Sequence, residues 1–191
     1  MPSLNPEKLR ADSARVRERM LSVARERLLG GDTDLPMNAI AKAAEVGVGT
    51  AYRHFPSHQV LLEALAADSF AALVADARAA ERDADAAAGF ARIMGAGLRL
   101  MLADPALAAV LARPSFACDE TVELGAELFE AFGAVLERAR AEGAVRPGVS
   151  GDDLRRLMCG VQQAVRIGDP EAADRYLDIL LAGLQNRAGS R

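Results

Sequence analysis

Glycine and proline punctuate this 191-residue chain at intervals, and between those breaks the apolar residues recur at helical spacing. From Asp12 to Leu29, Val16, Met20, Val23, Ala24 and Leu28 fall on one side of a helix that Gly30-Gly31 ends. Ala, Leu, Arg and Glu dominate and β-branched runs are scarce, which favours helix throughout. The 51% hydrophobic content is ample for a core, but only 4% is aromatic, so aliphatic and alanine contacts must do most of the packing. No strand is expected. The length suits one ordinary domain, or a small one joined to a larger one.

The stretch "DTDLPMNAIAKAAEVGVGTAYRHFPSHQ" compresses two short helices into little space. Pro36 suits a first helical turn, where the missing N–H costs nothing. Ile40, Ala41 and Ala44 form the inner stripe of a helix near 36–44. Glu45-Val46-Gly47 leaves room only for a tight turn, and Val48 to His54 forms a second helix. Phe55-Pro56 closes it, because the residue before proline disfavours the α region. Two short helices joined by a three-residue turn make a helix-turn-helix pattern. The chain therefore divides into a small three-helix head, 1–57, and a helical body, 58–191.

In the body, Ser57 caps a long helix from His58 to about Arg82. Further helices are expected over about 86–103, after Pro105, over about 119–142, near 151–167 and over 170–186. Ser150 and Asp153 have capping-box spacing at the entry to the helix near 151–167.

Composition excludes several classes. Cys118 and Cys159 lie far apart with no CxxC pair, so a disulfide framework is not expected and a reducing compartment is. The N-terminus "MPSLNPEKLR" lacks the apolar run of a signal peptide. The longest stretches without Asp, Glu, Lys or Arg are nine residues, so no membrane span is expected and the protein is predicted to be cytoplasmic. Net charge is −4, split between +2 over residues 1–58 and −6 over the remainder. A mildly basic head permits local nucleic-acid binding.

The segment "VGVGTAYRHFPS" admits three readings. A phosphate loop fails, because Gly47-Val48-Gly49 is followed by no GK[ST] and preceded by no strand. A metal site fails, because Pro56 separates His54 from His58 and no third ligand is near. With these two histidines alone the chain also lacks a His-based triad, so no catalytic residue, metal or cofactor is expected. A DNA-facing helix explains more. Thr50, Tyr52 and His54 offer donors to phosphate oxygens, Arg53 can pair with guanine, and Gly49 permits close backbone approach. Phe55 packs against the first helix, and Tyr52 can serve both purposes.

At this point "IAKAAEVGVGTAYRHFPSHQVLLEAL" resembles the tetracycline-repressor (TetR) family of transcriptional regulators, over about residues 13–66. The resemblance implies an all-α homodimer that binds double-stranded DNA through its N-terminal domain. A larger C-terminal domain would hold a small-molecule effector, and the last two helices would form a four-helix dimer interface. Residue by residue, it places Thr50, Tyr52 and His54 at backbone contacts and Asn38, Val48, Gly49 and Arg53 at base-reading positions. His58 stands where a lysine or arginine usually meets phosphate. Ala51 replaces a usual leucine. Glu45 stands where the turn usually has glycine, which implies φ > 0 at a cost on the order of 1 kcal/mol.

Large apolar groups with few polar ones suit a largely apolar effector. The pocket candidates are Phe70, Met94, Leu98, Met101, Phe116, Phe129, Phe132 and Gln162, although any one of them fits a plain core. Arg99 and Arg166 are candidate anchors for an anion. For the dimer interface, Leu154, Leu157, Met158, Val161 and Val165 make one stripe; Tyr176, Leu177, Leu180, Leu181 and Leu184 make another. The expected function is a ligand-responsive regulator, a repressor released from a palindromic operator by its effector. An all-helical enzyme or carrier bundle and a DNA-binding adaptor without a cavity are the competing classes.

Overall fold

The structure, a computed structural model, describes residues 6–185 and contains no strand among them. The described chain folds as two compact units that divide between Leu65 and Ala66. Helices α1 (Pro6–Leu29), α2 (Met37–Ala43), α3 (Val48–His54) and the start of α4 (His58–Glu81) belong to the first. The second holds the rest of α4 with α5 (Ala86–Ala103), α6 (Pro105–Leu111), α7 (Asp119–Ala141), α8 (Gly151–Ile167) and α9 (Ala173–Leu184). The boundary expected at Ser57/His58 is where α4 begins. The units divide later because the buried Leu61, Leu62 and Leu65 at the start of α4 belong to the first.

Apolar spacing builds the first unit. Met20, Ala24 and Leu28 of α1 are buried, as are Met37, Ile40 and Ala41 of α2, and Ala51 and Phe55 at α3. Phe55 is fully enclosed, a burial contributing roughly 2 kcal/mol. Pro36 lies one position earlier than expected, at the cap of α2, with φ −63 and ψ 121. Its carbonyl accepts from the amides of Ala39 (2.9 Å) and Ile40 (3.1 Å). The loop before it is tied down by Arg27, whose Nε (2.9 Å) and Nη2 (2.5 Å) both donate to Asp32. That guanidinium holds the Asp32 carboxyl below its usual range.

Helices α1, α2 and α7 end in the same hydrogen-bonded turn. In each, a left-handed residue donates back three positions and the next residue donates back five. At α1 these are Gly31→Leu28 and Asp32→Arg27; at α7, Gly143→Arg140 and Ala144→Ala139. At α2 they are Glu45→Lys42 (3.2 Å) and Val46→Ala41 (2.9 Å). The left-handed φ is 91 at Gly31, 76 at Gly143 and 55 at Glu45. The turn between α2 and α3 thus has the geometry of the other two but lacks their glycine.

In the second unit α5 is the central helix, packed on α6, α7, α8 and α9. It is long and apolar enough to cross a membrane by length and composition, and 56% of it is buried inside the unit. That burial makes it a core helix. Ser150 and Asp153 form the expected capping box on α8, Asp153 N–H donating to Ser150 Oγ (3.1 Å) and Ser150 N–H to Asp153 (2.9 Å). The helix expected over 170–186 is a 3-10 turn, Pro170–Ala172, followed by α9; residue 186 lies outside the described residues.

Substituting Glu45→Gly is expected to stabilise the chain by about 0.5–1 kcal/mol, by relieving a left-handed residue at a site already shaped for glycine. Urea denaturation of the full chain measures this. Equal or lower stability would mean that the Glu45 side chain contributes more than its backbone strain costs.

Candidate nucleic-acid interface and body cavity

Helix α3 is seven residues long and two-faced. Ala51 and Phe55 point inward with no exposed surface, while Val48, Gly49, Tyr52 and Arg53 point out. Tyr52, a large aromatic, is 47% exposed. Gly47 starts the helix in extended geometry, and its carbonyl accepts from Thr50 (2.9 Å) and Ala51 (3.0 Å). Arg53 Nη2 donates to Thr50 Oγ1 (2.8 Å), which tethers the guanidinium along the helix surface. A Cβ added at Gly49 would meet nothing within 4 Å. The fold itself therefore has no need of glycine at this exposed position.

The other candidates surround this face. Asn38 on α2 is exposed, and His54 is half-buried. His58 is half-buried, with its Nε2 enclosed and without a hydrogen-bond partner among the described residues. Arg17 of α1 lies 5.3 Å over the Phe55 ring. Ser57 caps α4, its Oγ accepting from Val60 N–H (3.2 Å).

The second unit contains a cavity of about 90 Å³. It gathers four expected pocket residues, Met94, Met101, Phe129 and Phe132. It leaves out Phe70, Leu98, Phe116 and Gln162. Phe70 is buried edge-on against Phe116, ring centroids 5.6 Å apart, and Phe116 lies so close to α7 that a Cβ at Gly125 would come within 2.3 Å of its ring. Leu98 is core, and Gln162 is buried with its Nε2 unpartnered among the described residues. Arg99 and Arg166 are exposed and do not line the cavity. Arg155 and Cys159 do line it, and sequence reading missed both. No periodic signal marks them, because each is a polar residue on a helix otherwise legible only by its leucines and valines.

The expected interface residues separate into two groups. Leu154, Met158, Val165 and Leu184 are buried within the chain, and Leu154 and Met158 line the cavity. A second copy would gain little area from these four, which corrects the sequence reading of both stripes. Leu157 is exposed, and Val161, Tyr176, Leu177, Leu180 and Leu181 are half-buried. Ile167 and Ile179 were not singled out, yet they are 77% and 64% exposed. Among the described residues no three of His, Cys, Asp and Glu come together as a metal-binding group.

A head presenting a short polar helix and a helical body enclosing a small apolar cavity define a helix-turn-helix regulator with a ligand-binding domain. Residues 21–65 match the bacterial regulatory proteins of the tetR family, and residues 98–186 match the C-terminal domain of SbtR-like transcriptional regulators. The chain belongs to the TetR family of transcriptional regulators. Among solved structures it is similar to the TetR regulator SCO0520 from Streptomyces coelicolor, at 24% identity and TM-score 0.54 over 90% of this chain and 99% of that one. The TetR family regulator PfmR from Thermus thermophilus is 23% identical, with TM-score 0.59 over 88% of this chain and 97% of that one. RolR in complex with resorcinol is 19% identical, with TM-score 0.59 over 93% of this chain and 91% of that one. These three likenesses show the fold. No curated protein matches the chain.

Substituting Gly49→Ala separates folding from recognition. Because the added methyl meets open space, helix propensity should leave stability unchanged or raise it by about 0.5 kcal/mol. Affinity for DNA should fall at least about ten-fold if the duplex approaches the α3 backbone here. Denaturation and DNA titration of the same preparation test both, and unchanged affinity would remove Gly49 from the interface.

Proposed function

We propose that this protein is a repressor that binds a palindromic operator as a homodimer in the cytoplasm and leaves it when a small molecule enters the body cavity. The observation that carries the DNA-binding half is the division of α3. Ala51 and Phe55 are consumed by the core, while Tyr52, Arg53 and an unobstructed Gly49 face outward beside exposed Asn38. In this reading Thr50, Tyr52 and His54 meet phosphates, with His58 at the margin. Asn38, Val48, Gly49 and Arg53 meet base edges. Arg53 would exchange its bond to Thr50 for a base acceptor on binding.

Two copies of a seven-residue helix reach successive major grooves only if a dimer spaces them by about 34 Å. The dimer face proposed here is the exposed apolar side of α8 and α9, carried by Leu157, Ile167 and Ile179 with half-buried Val161, Tyr176 and Leu180. Effector binding would favour a dimer whose heads no longer match that spacing, a population shift that requires unequal affinity for the two states. The RolR complex with resorcinol supports a small-molecule effector in a body of this fold.

Salt-dependent binding to the DNA beside the gene tests the reading. Tyr52→Ala is expected to weaken binding at least about ten-fold for every sequence while leaving the salt slope nearly unchanged, because the phenol carries no charge. Arg53→Ala should relax preference at one base pair by roughly 1–3 kcal/mol. Equal, weak binding by all three proteins, or a footprint without two-fold symmetry, would refute the operator reading.

For the dimer, Ile179→Asp should convert the protein to a monomer at micromolar concentration, as read by light scattering. A wild-type monomer under the same conditions would refute the proposed assembly.

A further inference from the structure

The cavity assigned above to an effector has walls of hydrocarbon and thioether. Met94, Met101 and Met158, three of the chain's six methionines, line it, and half-exposed Phe129 stands at its surface edge. Among the described lining residues only Arg155 and Cys159 carry a side-chain group that could hold a polar ligand. Arg155 is already hydrogen-bonded within the chain. Arg155 Nη1 donates to the Leu111 carbonyl (2.7 Å), while Nε (3.1 Å) and Nη2 (2.7 Å) both donate to the Asp152 carboxylate. Each of its three nitrogens donates one bond, and Asp152 is shared with Arg156 (2.6 Å). Cys159 is half-buried, and burial pushes its thiol up, so it stays uncharged at neutral pH.

We infer that this cavity takes an uncharged, largely hydrocarbon ligand of about one ring in preference to ions of the same shape. The inference rests on the effector role proposed for the cavity and adds the chemical class of what enters it. A carboxylate entering here would shed its water among apolar walls, and the guanidinium there already gives three of its five N–H groups to Leu111 and Asp152. Bonded to Arg155, it would also stand close to the Asp152 carboxylate. Size points the same way. The cavity's 90 Å³ is less than the roughly 150 Å³ of an engineered apolar cavity that admits benzene in another protein, so even one ring requires the walls to move. Methionine side chains, unbranched with three rotatable bonds, permit that movement at little cost. Gly97 leaves the space open, because a Cβ there would sit only 3.7 Å from Leu73 Cδ1 and 3.9 Å from Met158 Cε.

Titration calorimetry and thermal shift on the full chain with toluene, benzoate and benzylammonium test this, because the three share a ring and differ in charge. Toluene is expected to bind and to raise Tm, and the two ions to bind at least about 100-fold more weakly. Asp152→Asn should raise the benzoate-to-toluene affinity ratio about ten-fold by releasing the guanidinium. Gly97→Leu should abolish toluene binding by filling the cavity. The wild-type chain decides the matter whether or not either variant folds. Benzoate binding as tightly as toluene, or no toluene binding up to its solubility limit, would overturn the inference. Operator binding measured in parallel separates the two readings. Toluene that binds without releasing DNA upholds the ligand class and refutes effector release. DNA binding by a chain that takes no toluene refutes the ligand class alone.

Discussion

A helix of seven residues does not hold itself together in water, where isolated helices need roughly twelve to fifteen even with favourable sequences. Helix α3 exists because Ala51 and Phe55 are gripped by the first unit, and every outward property of the head depends on that grip. Phe55 is central to it. Its ring is wholly enclosed, it ends the helix just before Pro56, and Arg17 of α1 lies over it at 5.3 Å. Since the inward positions are occupied by packing, Val48, Gly49, Tyr52 and Arg53 are left to face solvent. The same contacts that stabilise the helix therefore select which residues can meet a partner.

The entry to α3 is set by backbone geometry. Glu45 sits in the left-handed position of a turn whose counterparts after α1 and α7 use glycine. The turn's two backbone hydrogen bonds, from Glu45 and Val46, compensate the strain by satisfying the last carbonyls of α2. A strained residue between α2 and α3 fits a turn whose angle matters more than its stability.

The body solves a different problem. With few aromatics available, it packs α5 against four other helices and uses glycines where elements approach closely, as at Gly125 beneath Phe116. The cavity remains where Met94 and Met101 of α5 and Met158 of α8 meet Leu128, Phe129 and Phe132 of α7. An adaptable wall and an Arg155 held by Asp152 follow from the same arrangement. The ion pair keeps the guanidinium from being an unpaired charge, and in doing so engages part of what could anchor a ligand.

Much of this was legible in the residues. Periodicity, Pro36, Gly47 and the Phe55-Pro56 pair determined an all-helical chain and the limits of α3. The run from Ile40 to Leu65 carried the family, and the missing glycine at position 45 foretold a strained turn. Those signals are local, because helix breaks, caps and left-handed turns depend on neighbours within a few positions. Which side of an apolar helix becomes core is not local. Leu154 and Leu157 look alike in sequence, yet one is enclosed and the other 44% exposed, since only packing chooses the inward face of a helix that is apolar on two sides. The tertiary structure likewise decided that Met94 and Met101 border a cavity while Phe70 fills the core. It also joined Arg155 to the Leu111 carbonyl, forty-four positions away. Contacts between elements follow from how whole faces fit together, and no spacing along the chain records that fit.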